Sequence, residues 1–238
     1  MNGHPVEKLN CLVSSCTAGN NGEETPIDAN ENRRRLSETL NIEYNSIVFL
    51  KQIHSRKTVE ADNVNHYGGE TEGDGLITLD RKLFLSVTVA DCLPVYLYDT
   101  ESQAAGLLHS GWKGTGIVNN ALELMREKWK TRAEAVAAVL GPCIRSCCYK
   151  VNRERAAAFE AEFGGASGEY PLGPVTSTRD GGYYLDLQAA NARLLANAGV
   201  RNIAVCENCT FTDTRMGSFR REGANYSRMI AMVGDFSG

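Results

Sequence analysis

Two histidines and one cysteine stand beside breaks in the apolar segments of this sequence. His109 ends the run AAGLLH, Cys92 follows the run LFLSVTVA, and His54 closes the segment SIVFLKQIH. Strand ends are places where side chains from distant parts of a chain can converge. Two imidazoles and one thiolate suit a borderline-soft metal, and three protein ligands leave a fourth position open, as in catalytic zinc sites. From position alone, a buried structural cysteine and a structural histidine stay open as plainer alternatives.

The glycine-rich turn GWKGTG lies between His109 and a predicted helix. Backbone amides of such a turn, with the N-terminus of the helix that follows, can hold an anion such as phosphate. Lys113 would add a positive charge there. A plain tight turn is the alternative, and the pattern alone weighs the two equally.

Other cysteines could form a second group. Cys206 and Cys209 have C-x-x-C spacing, and with Cys143 and Cys147 they could be drawn as a four-thiolate zinc site. The gap between Cys143 and Cys147 is unusual for such a site, which disfavours it. The gap between Cys143 and Cys147 is also one residue longer than the PC-x-x-C spacing of zinc deaminases. His54 in addition lacks the H-x-E partner that those enzymes carry.

The elements that must position these residues follow from hydrophobic periodicity. Helices are predicted at 28–40, 117–129, 152–163 and from about 188 to Gly199. Strands are predicted at 46–54, 73–79, 83–90, 95–99, 104–110, 135–141, 183–187 and 202–206. Residues 164–182 are predicted to form a loop, and a polar segment ends the chain. The pattern predicts a single α/β domain over residues 1–238, with mixed β-sheets flanked by helices.

Composition excludes several classes of protein. The chain has 238 residues, 42% of them hydrophobic, and a net charge of −4, so no basic field indicates nucleic acid as a partner. No apolar run approaches the ~20 residues that span a bilayer, and the first residues lack a signal-peptide layout. The chain has eight cysteines, but a domain of this size does not need disulfide bonds for its stability. We therefore predict reduced thiols without disulfides and a cytoplasmic location. No spare apolar helix face is evident, which predicts a monomer or loose dimer.

Seven segments of the sequence together carry a family resemblance. In chain order they are KQIHS (51–55), GDGLIT (73–78), VADCLPV (89–95), GLLHSGWKG (106–114), LGPCIRSCCYKV (140–151), LDLQAAN (185–191) and SFRREGANYSRM (218–229). With them the chain resembles the YfiH/YlmD family, also called the laccase-domain or DUF152 family, over about residues 28–233. The resemblance implies a fold similar to that of a bacterial deamidating toxin domain. It also implies that His54, Cys92 and His109 are metal ligands and catalytic residues, with His109 at an exposed strand end.

The resemblance extends to residues around the site. It implies that Arg33 and its partner Asn30 lie beside the pocket, and that Cys143 and Cys148 approach the pocket from a loop that lines it. Lys113 stands where the family usually has arginine, so the charge is kept but bidentate recognition of an oxyanion is lost. The short segment CLVSSCTAGNNGEETP lacks the family's threonine–arginine pair, which puts the substrate range in doubt more than metal binding.

The function that the resemblance implies is a zinc-dependent purine nucleoside phosphorylase. Such enzymes split adenosine, inosine or methylthioadenosine with phosphate, and some also deaminate adenosine. A copper-dependent polyphenol oxidase is one alternative, although four histidines without an H-x-H pair cannot build a complete multicopper cluster and would support only weak oxidation at a single copper. A metal-free hydrolase with Cys92 as nucleophile and His109 as base is another, and some relatives are regarded as peptidoglycan-editing factors.

Overall fold

Residues 10–14, 26–63, 70–165 and 173–236 are described by the computed structural model of the chain. The strands are β1 (Asn10–Val13), β2 (Ile47–Val48), β3 (Thr58–Glu60), β4 (Gly75–Thr78), β5 (Phe84–Val89), β6 (Leu93–Asp99), β7 (Ala105–Ser110), β8 (Val136–Leu140), β9 (Lys150–Val151), β10 (Thr176–Arg179), β11 (Gly182–Leu185), β12 (Asn202–Val205) and β13 (Met229–Gly234). The helices are α1 (Pro26–Leu40), α2 (Ile117–Trp129), α3 (Arg153–Phe163), α4 (Leu187–Asn197) and α5 (Phe219–Glu222).

The larger sheet has six strands in the order β12-β8-β6-β7-β4-β3. Its centre is the antiparallel pair of β6 and β7, in which His109 lies opposite Pro94. The edge strands β3 and β12 pair in parallel with their neighbours, so the sheet is mixed. Nearly every residue of β6 and β7 is buried, as expected for strands covered on both faces.

Alternate side chains of the central strands enter two different cores. Leu108 packs in one core with Ile117 and Met125 of α2. Leu107 packs in another core with Val87 of β5. β5 belongs to a four-stranded sheet of order β1-β13-β5-β2, which we call the smaller sheet. A third core lies between that sheet and α1, where Leu36 joins it. The mixed α/β fold with sheets flanked by helices is thereby confirmed.

Two strand predictions are wrong. The segment 46–54 is a strand only at Ile47–Val48. Lys51 then forms an isolated β-bridge with Glu72, and the Asp74 carboxylate binds the backbone of residues 53–55, as described below. The last segment, predicted to be polar, contains β13, whose six residues are all buried. β13 pairs with both β1 and β5 and so lies inside the smaller sheet.

The predicted loop at 164–182 is also partly structured. Its final residues form β10, which makes an antiparallel hairpin with β11. Residues 166–172 lie outside the described part of the chain. The helix predicted at 117–129 coincides with α2.

Two further observations concern the chain as described. None of its described helices is long and apolar enough to cross a membrane. The cysteines at 11, 92, 143, 147, 148, 206 and 209 are free thiols, and Cys16 lies outside the described residues.

Candidate active site

The fold brings His54, Cys92 and His109 together, and we call this group the primary site. Their ligand atoms all lie within 4.8 Å of one another. The two imidazole rings meet edge to face, with centroids 5.0 Å apart. His54 comes from the loop after β2, Cys92 from the junction of β5 and β6, and His109 from the end of β7. Three separate segments of the sequence therefore converge on one point.

Asp74, next to β4, is the residue that positions the primary site. Its buried carboxylate accepts hydrogen bonds from the backbone amides of Ile53 (3.2 Å), His54 (2.9 Å) and Ser55 (2.6 Å). Wrapping three successive amides around one carboxylate turns the chain sharply, and His54 accordingly has a φ of 57°. This turn presents the His54 side chain to the site.

The same carboxylate also orients His109. The Nδ1 atom of His109 lies 2.9 Å from Oδ1 of Asp74, so Nε2 is the nitrogen left for a ligand. The backbone amide of His109 donates to the Asp74 carbonyl at 2.7 Å. The His109 side chain is buried, with 3% of the residue exposed, so its expected exposure is wrong. The strand end at which it lies is covered by the neighbouring loops.

The electrostatics of the primary site favour a thiolate. Burial alone would raise the pKa of Cys92, but the adjacent His109 and His54 more than offset it and lower that pKa to about 6. Burial would likewise lower the pKa of His109, yet the Cys92 sulfur and the Asp74 carboxylate raise it to about 9. Near neutral pH, Cys92 and His109 therefore form a thiolate–imidazolium pair when no metal is bound.

The turn that carries Cys92 is held by its neighbour Asp91. Asp91 has a φ of 83°, a conformation that an aspartate keeps only where its surroundings enforce it. Its carboxylate accepts hydrogen bonds from the Thr210 hydroxyl at 2.6 Å and the Arg220 amide at 2.7 Å. Opposite the turn, a Cβ on Gly111 would lie 2.9 Å from the Cys92 sulfur, so only glycine leaves room for the thiolate.

The primary site lies against a cavity of about 440 Å³. Besides the three site residues, it is lined by Gln52, Thr88, Val89, Ala90, Asp91, Gly111, Trp112, Ile144, Tyr149, Arg155, Leu187, Phe219, Arg220, Tyr226 and Arg228. A volume of this size is within the range of small-molecule sites.

Three arginines of the cavity wall lie over aromatic rings. The guanidinium of Arg155 is 4.3 Å from the Trp112 ring centroid, and that of Arg220 is 5.3 Å from Tyr149. Arg228 is 4.8 Å from the Tyr226 ring. Such pairs hold cations near apolar surfaces, so the wall offers positive charge and flat apolar rings side by side.

The glycine-rich turn is hydrogen-bonded to itself. The amide of Thr115 donates to the Gly111 carbonyl at 2.8 Å, and that of Ile117 to the Gly114 carbonyl at 3.0 Å. These donors are therefore already used within the turn. Lys113 is exposed, with Nζ 5.7 Å from the Trp112 ring centroid, and does not belong to the cavity lining.

Two other residues expected beside the pocket, Arg33 and Cys143, are not part of its described lining. The Arg33 guanidinium lies 3.8 Å from the centroid of Phe49, in the core beneath α1. The backbone of Asn30 belongs to α1, and its side chain lies outside the described residues. Cys143 is fully buried, and its neighbour Ile144 lines the cavity in its place.

Sequence reasoning missed both aspartates and the arginine–aromatic wall. Asp74 lies in the segment GDGLIT, and Arg220 and Arg228 lie in SFRREGANYSRM. Those segments were noted for their resemblance, but no chemistry was assigned to them. The available signal was the carboxylate in GDGLIT and the arginines beside aromatic residues in SFRREGANYSRM.

Together the fold and the site define a class of protein: a mixed α/β domain with a His–Cys–His donor set at the floor of a cavity sized for a small molecule. The chain belongs to the family described as multi-copper polyphenol oxidoreductase laccase, whose model matches residues 7–234.

Curated relatives and solved structures agree with that membership. A purine nucleoside phosphorylase of Clostridium acetobutylicum is 30% identical over 232 residues, covering 95% of this chain and 92% of the relative. One of Deinococcus radiodurans is 33% identical and covers 89% and 79%. The crystal structure of YlmD from Geobacillus stearothermophilus superposes with a TM-score of 0.83 at 27% identity, covering 98% and 94%. That of YfiH from Bacillus licheniformis gives 0.81 at 26% identity, covering 95% and 92%.

Proposed function

We propose that this protein is a zinc-dependent purine nucleoside phosphorylase that acts on adenosine, inosine and methylthioadenosine. The observation that carries the proposal is the cavity, which joins a His–Cys–His donor set to a wall of aromatic rings and arginines. The names of the curated relatives support the same kind of enzyme.

The donor set fits a zinc ion. His54, Cys92 and His109 offer two nitrogens and one sulfur within 4.8 Å of one another, which are ligands that Zn²⁺ takes in catalytic sites. Asp74 on the far nitrogen of His109 is the outer partner that metal-bound histidines usually have. When bound, the ion would supply Lewis acidity to an oxygen in its open position. Copper would fit the same donors and is the alternative cofactor.

The cavity wall suits the other parts of the substrates. Phe219 and Tyr226 lie edge to face with centroids 5.0 Å apart, and Phe219 is 55% exposed, so it offers a free face for a purine ring to stack on. Arg155, Arg220 and Arg228 would neutralise phosphate in the same space. Lys113, outside the lining, is proposed as a weaker contributor to phosphate attraction.

In the proposed reaction a phosphate oxygen bonds to C1′ of the ribose while the bond from C1′ to purine N9 breaks. The electron pair of that bond leaves with the purine, which then takes up a proton. The arginines hold the phosphate, the aromatic rings hold the base, and Asp74 keeps His109 in one orientation. Positioning the reactants in this way accounts for a large part of such a rate enhancement. Adenosine deamination, with water replacing the 6-amino group as ammonia, is proposed as a side activity.

A metal-free hydrolase is the second candidate, and one observation favours it. The lowered pKa of Cys92 and the raised pKa of His109 give an activated thiolate beside an acid, as in cysteine-dependent hydrolases. Weak phenol oxidation by adventitious copper stays the third proposal, limited by the four histidines of the sequence.

The test uses protein purified without added copper. Its metal content is measured, and it is then incubated with inosine or adenosine, with and without phosphate, and the products are separated. We expect zinc in the protein and free base with ribose 1-phosphate only when phosphate is present. Base release independent of phosphate and metal would instead support the hydrolase, and oxidation of phenols by copper-free protein would support an oxidase.

The partners of the proposed enzyme are small molecules, a nucleoside and phosphate. A cytoplasmic location and a monomeric or loosely dimeric state stay predictions.

A further inference from the structure

A second group of sulfur atoms lies away from the cavity, and we call it the thiol cluster. It consists of Cys147 and Cys148, from the loop between β8 and β9, and Cys209, from the loop after β12. The three Sγ atoms lie within 4.8 Å of one another, and those of Cys147 and Cys148 are 3.4 Å apart. None of the three lines the cavity of the primary site.

The surroundings of Cys209 favour a negatively charged sulfur. Its Sγ accepts a hydrogen bond from the backbone amide of Arg145 at 3.5 Å. Backbone amides directed at sulfur also tune the thiolates of metal clusters. The arrangement therefore holds one sulfur ready as a ligand.

Access and rigidity complete the requirements of a metal site. Cys147 is exposed and Cys148 half-buried, and both Cys147 and Cys209 line an open surface hollow. The backbone on the buried side is fixed, because Cys143 and Cys209 form an isolated backbone β-bridge. The Thr210 amide donates a hydrogen bond to the Cys143 carbonyl at 3.0 Å. A cation can thus reach sulfur atoms that are already close together.

We propose that Cys147, Cys148 and Cys209 form a second metal site that takes a thiophilic monovalent cation, Cu⁺. Thiolate ligands without imidazole or carboxylate select soft cations. Structural zinc sites use four protein ligands, whereas the cluster among the described residues offers three. Binding would displace the protons of Cys147 and Cys148, as deprotonation is required of every thiol ligand.

The proposal is independent of the nucleoside chemistry, and the experiment keeps the two apart. The Cys92→Ser protein, in which the primary site is disabled, is titrated anaerobically with Cu⁺ buffered by a competing chelator. We expect one equivalent of Cu⁺ with ultraviolet sulfur-to-copper absorption. Adding Cys147→Ser and Cys148→Ser should weaken binding by more than about 100-fold, above the range for losing an outer-shell partner.

Cys206→Ser in the same background is the matched control, because Cys206 is a half-buried free thiol three positions before Cys209 that lies outside the cluster. It should bind Cu⁺ like its parent. Equal losses in the control and the cluster variants, or no loss in either, would overturn the proposal. Zn²⁺ binding without Cu⁺ binding would overturn the choice of cation.

A measurement on the unaltered chain covers the case in which a variant fails to fold. Wild-type protein is alkylated with and without Cu⁺, and each cysteine is read by peptide mass spectrometry. Protection of Cys147, Cys148 and Cys209 while Cys206 is still labelled would support the site, and protection of Cys92 would report copper at the primary site. Labelling of these thiols that Cu⁺ does not change, or a disulfide among them in freshly reduced protein, would contradict it.

Discussion

The primary site and the thiol cluster each bring three soft donors within 4.8 Å, yet their surroundings differ. Behind the primary site, the Asp74 carboxylate binds one histidine ring and the backbone of the other, and in front of it lies a cavity of about 440 Å³. Behind the thiol cluster stand backbone amides, and in front of it is an open surface hollow.

That difference shows what turns a group of ligands into a candidate for catalysis. Donor atoms alone predict that a metal can bind, and both groups have them. A charged outer partner that fixes the ligand and a walled space for a substrate are present only at the primary site among the described residues. We therefore propose that the primary site carries out chemistry and that the thiol cluster holds an ion.

The largest expected effect follows from removing the Cys92 sulfur. Cys92→Ser should lower both zinc content and phosphorolysis, the latter by at least about 1,000-fold, because losing a ligand exceeds the 10–100-fold loss typical of an outer partner. His54→Ala and His109→Ala should act in the same direction. Cys206→Ser is the control and should keep both properties.

Measuring zinc stoichiometry and turnover together decides the outcome. Full zinc with no activity would make Cys92 a nucleophile and favour the metal-free hydrolase. If Cys92→Ser keeps full zinc and full activity, the primary site is not the active site, and the contrast between the two groups does not hold.

Asp74→Asn should have the next largest effect. The amide cannot accept hydrogen bonds at both of its atoms, so His109 loses a fixed orientation and the turn at His54 loosens. We expect metal affinity and kcat/KM to fall by about 10–100-fold. Asp80→Asn, at an exposed aspartate of the following turn, is the matched control. Thermal unfolding is followed in parallel, and a loss of stability with unchanged metal affinity would contradict the positioning role.

The two groups should also differ in how pH controls thiol reactivity in metal-free protein. The pKa of Cys92 is lowered to about 6, so its reactive thiolate forms above that pH. Alkylation of Cys92 should be about tenfold faster at pH 7 than at pH 5 and then level off. The pKa of Cys148 is raised to about 12 by burial and neighbouring sulfurs, so its reaction should still be rising at pH 9. Residue-resolved labelling checks this, and parallel pH profiles would refute it.

The smallest effects concern the phosphate. Arg155→Ala should raise the KM for phosphate about tenfold, as expected for a lost charge-assisted hydrogen bond. Lys113→Ala should raise it by less than about threefold, because an exposed charge contributes little. Both variants should keep their zinc. An equal or larger effect of Lys113→Ala on the KM for phosphate would place the phosphate at the glycine-rich turn. The cavity arginines would then not be its binding site.

Local pattern predicted those parts of the molecule that local forces determine. The 3.6-residue period of 117–129 predicted α2, and the apolar run at 104–110 predicted β7 within one residue of its bounds. The three residues of the primary site were grouped as candidate ligands from their residue types and their places beside strand ends, and the resemblance implied the same group.

The parts that escaped prediction depend on contacts between distant residues. Nothing around Asp74 in the sequence shows that its carboxylate will meet His109 and three amides from residues 53–55. That contact also turns the chain at the end of the segment predicted as a strand at 46–54. The run MIAMVG follows a charged segment and is too short to establish a period, so β13 was missed although it is wholly buried. Arg33 was placed by resemblance beside the pocket, whereas its packing on Phe49 is a property of the assembled core.

The position of β13 has a consequence for how the protein is made. Among the described strands, β13 is the antiparallel partner of β5, and Val89 pairs with Met229. β1 also pairs with β13. Such distant pairings form slowly. Phe219, Arg220, Tyr226 and Arg228, which line the cavity, are translated immediately before β13. A ribosome must therefore release almost all of the described chain before the smaller sheet can close, and the substrate wall is completed in the same late step. Because the Arg220 amide also holds the turn of Cys92 through Asp91, the primary site reaches its final geometry in that same late step.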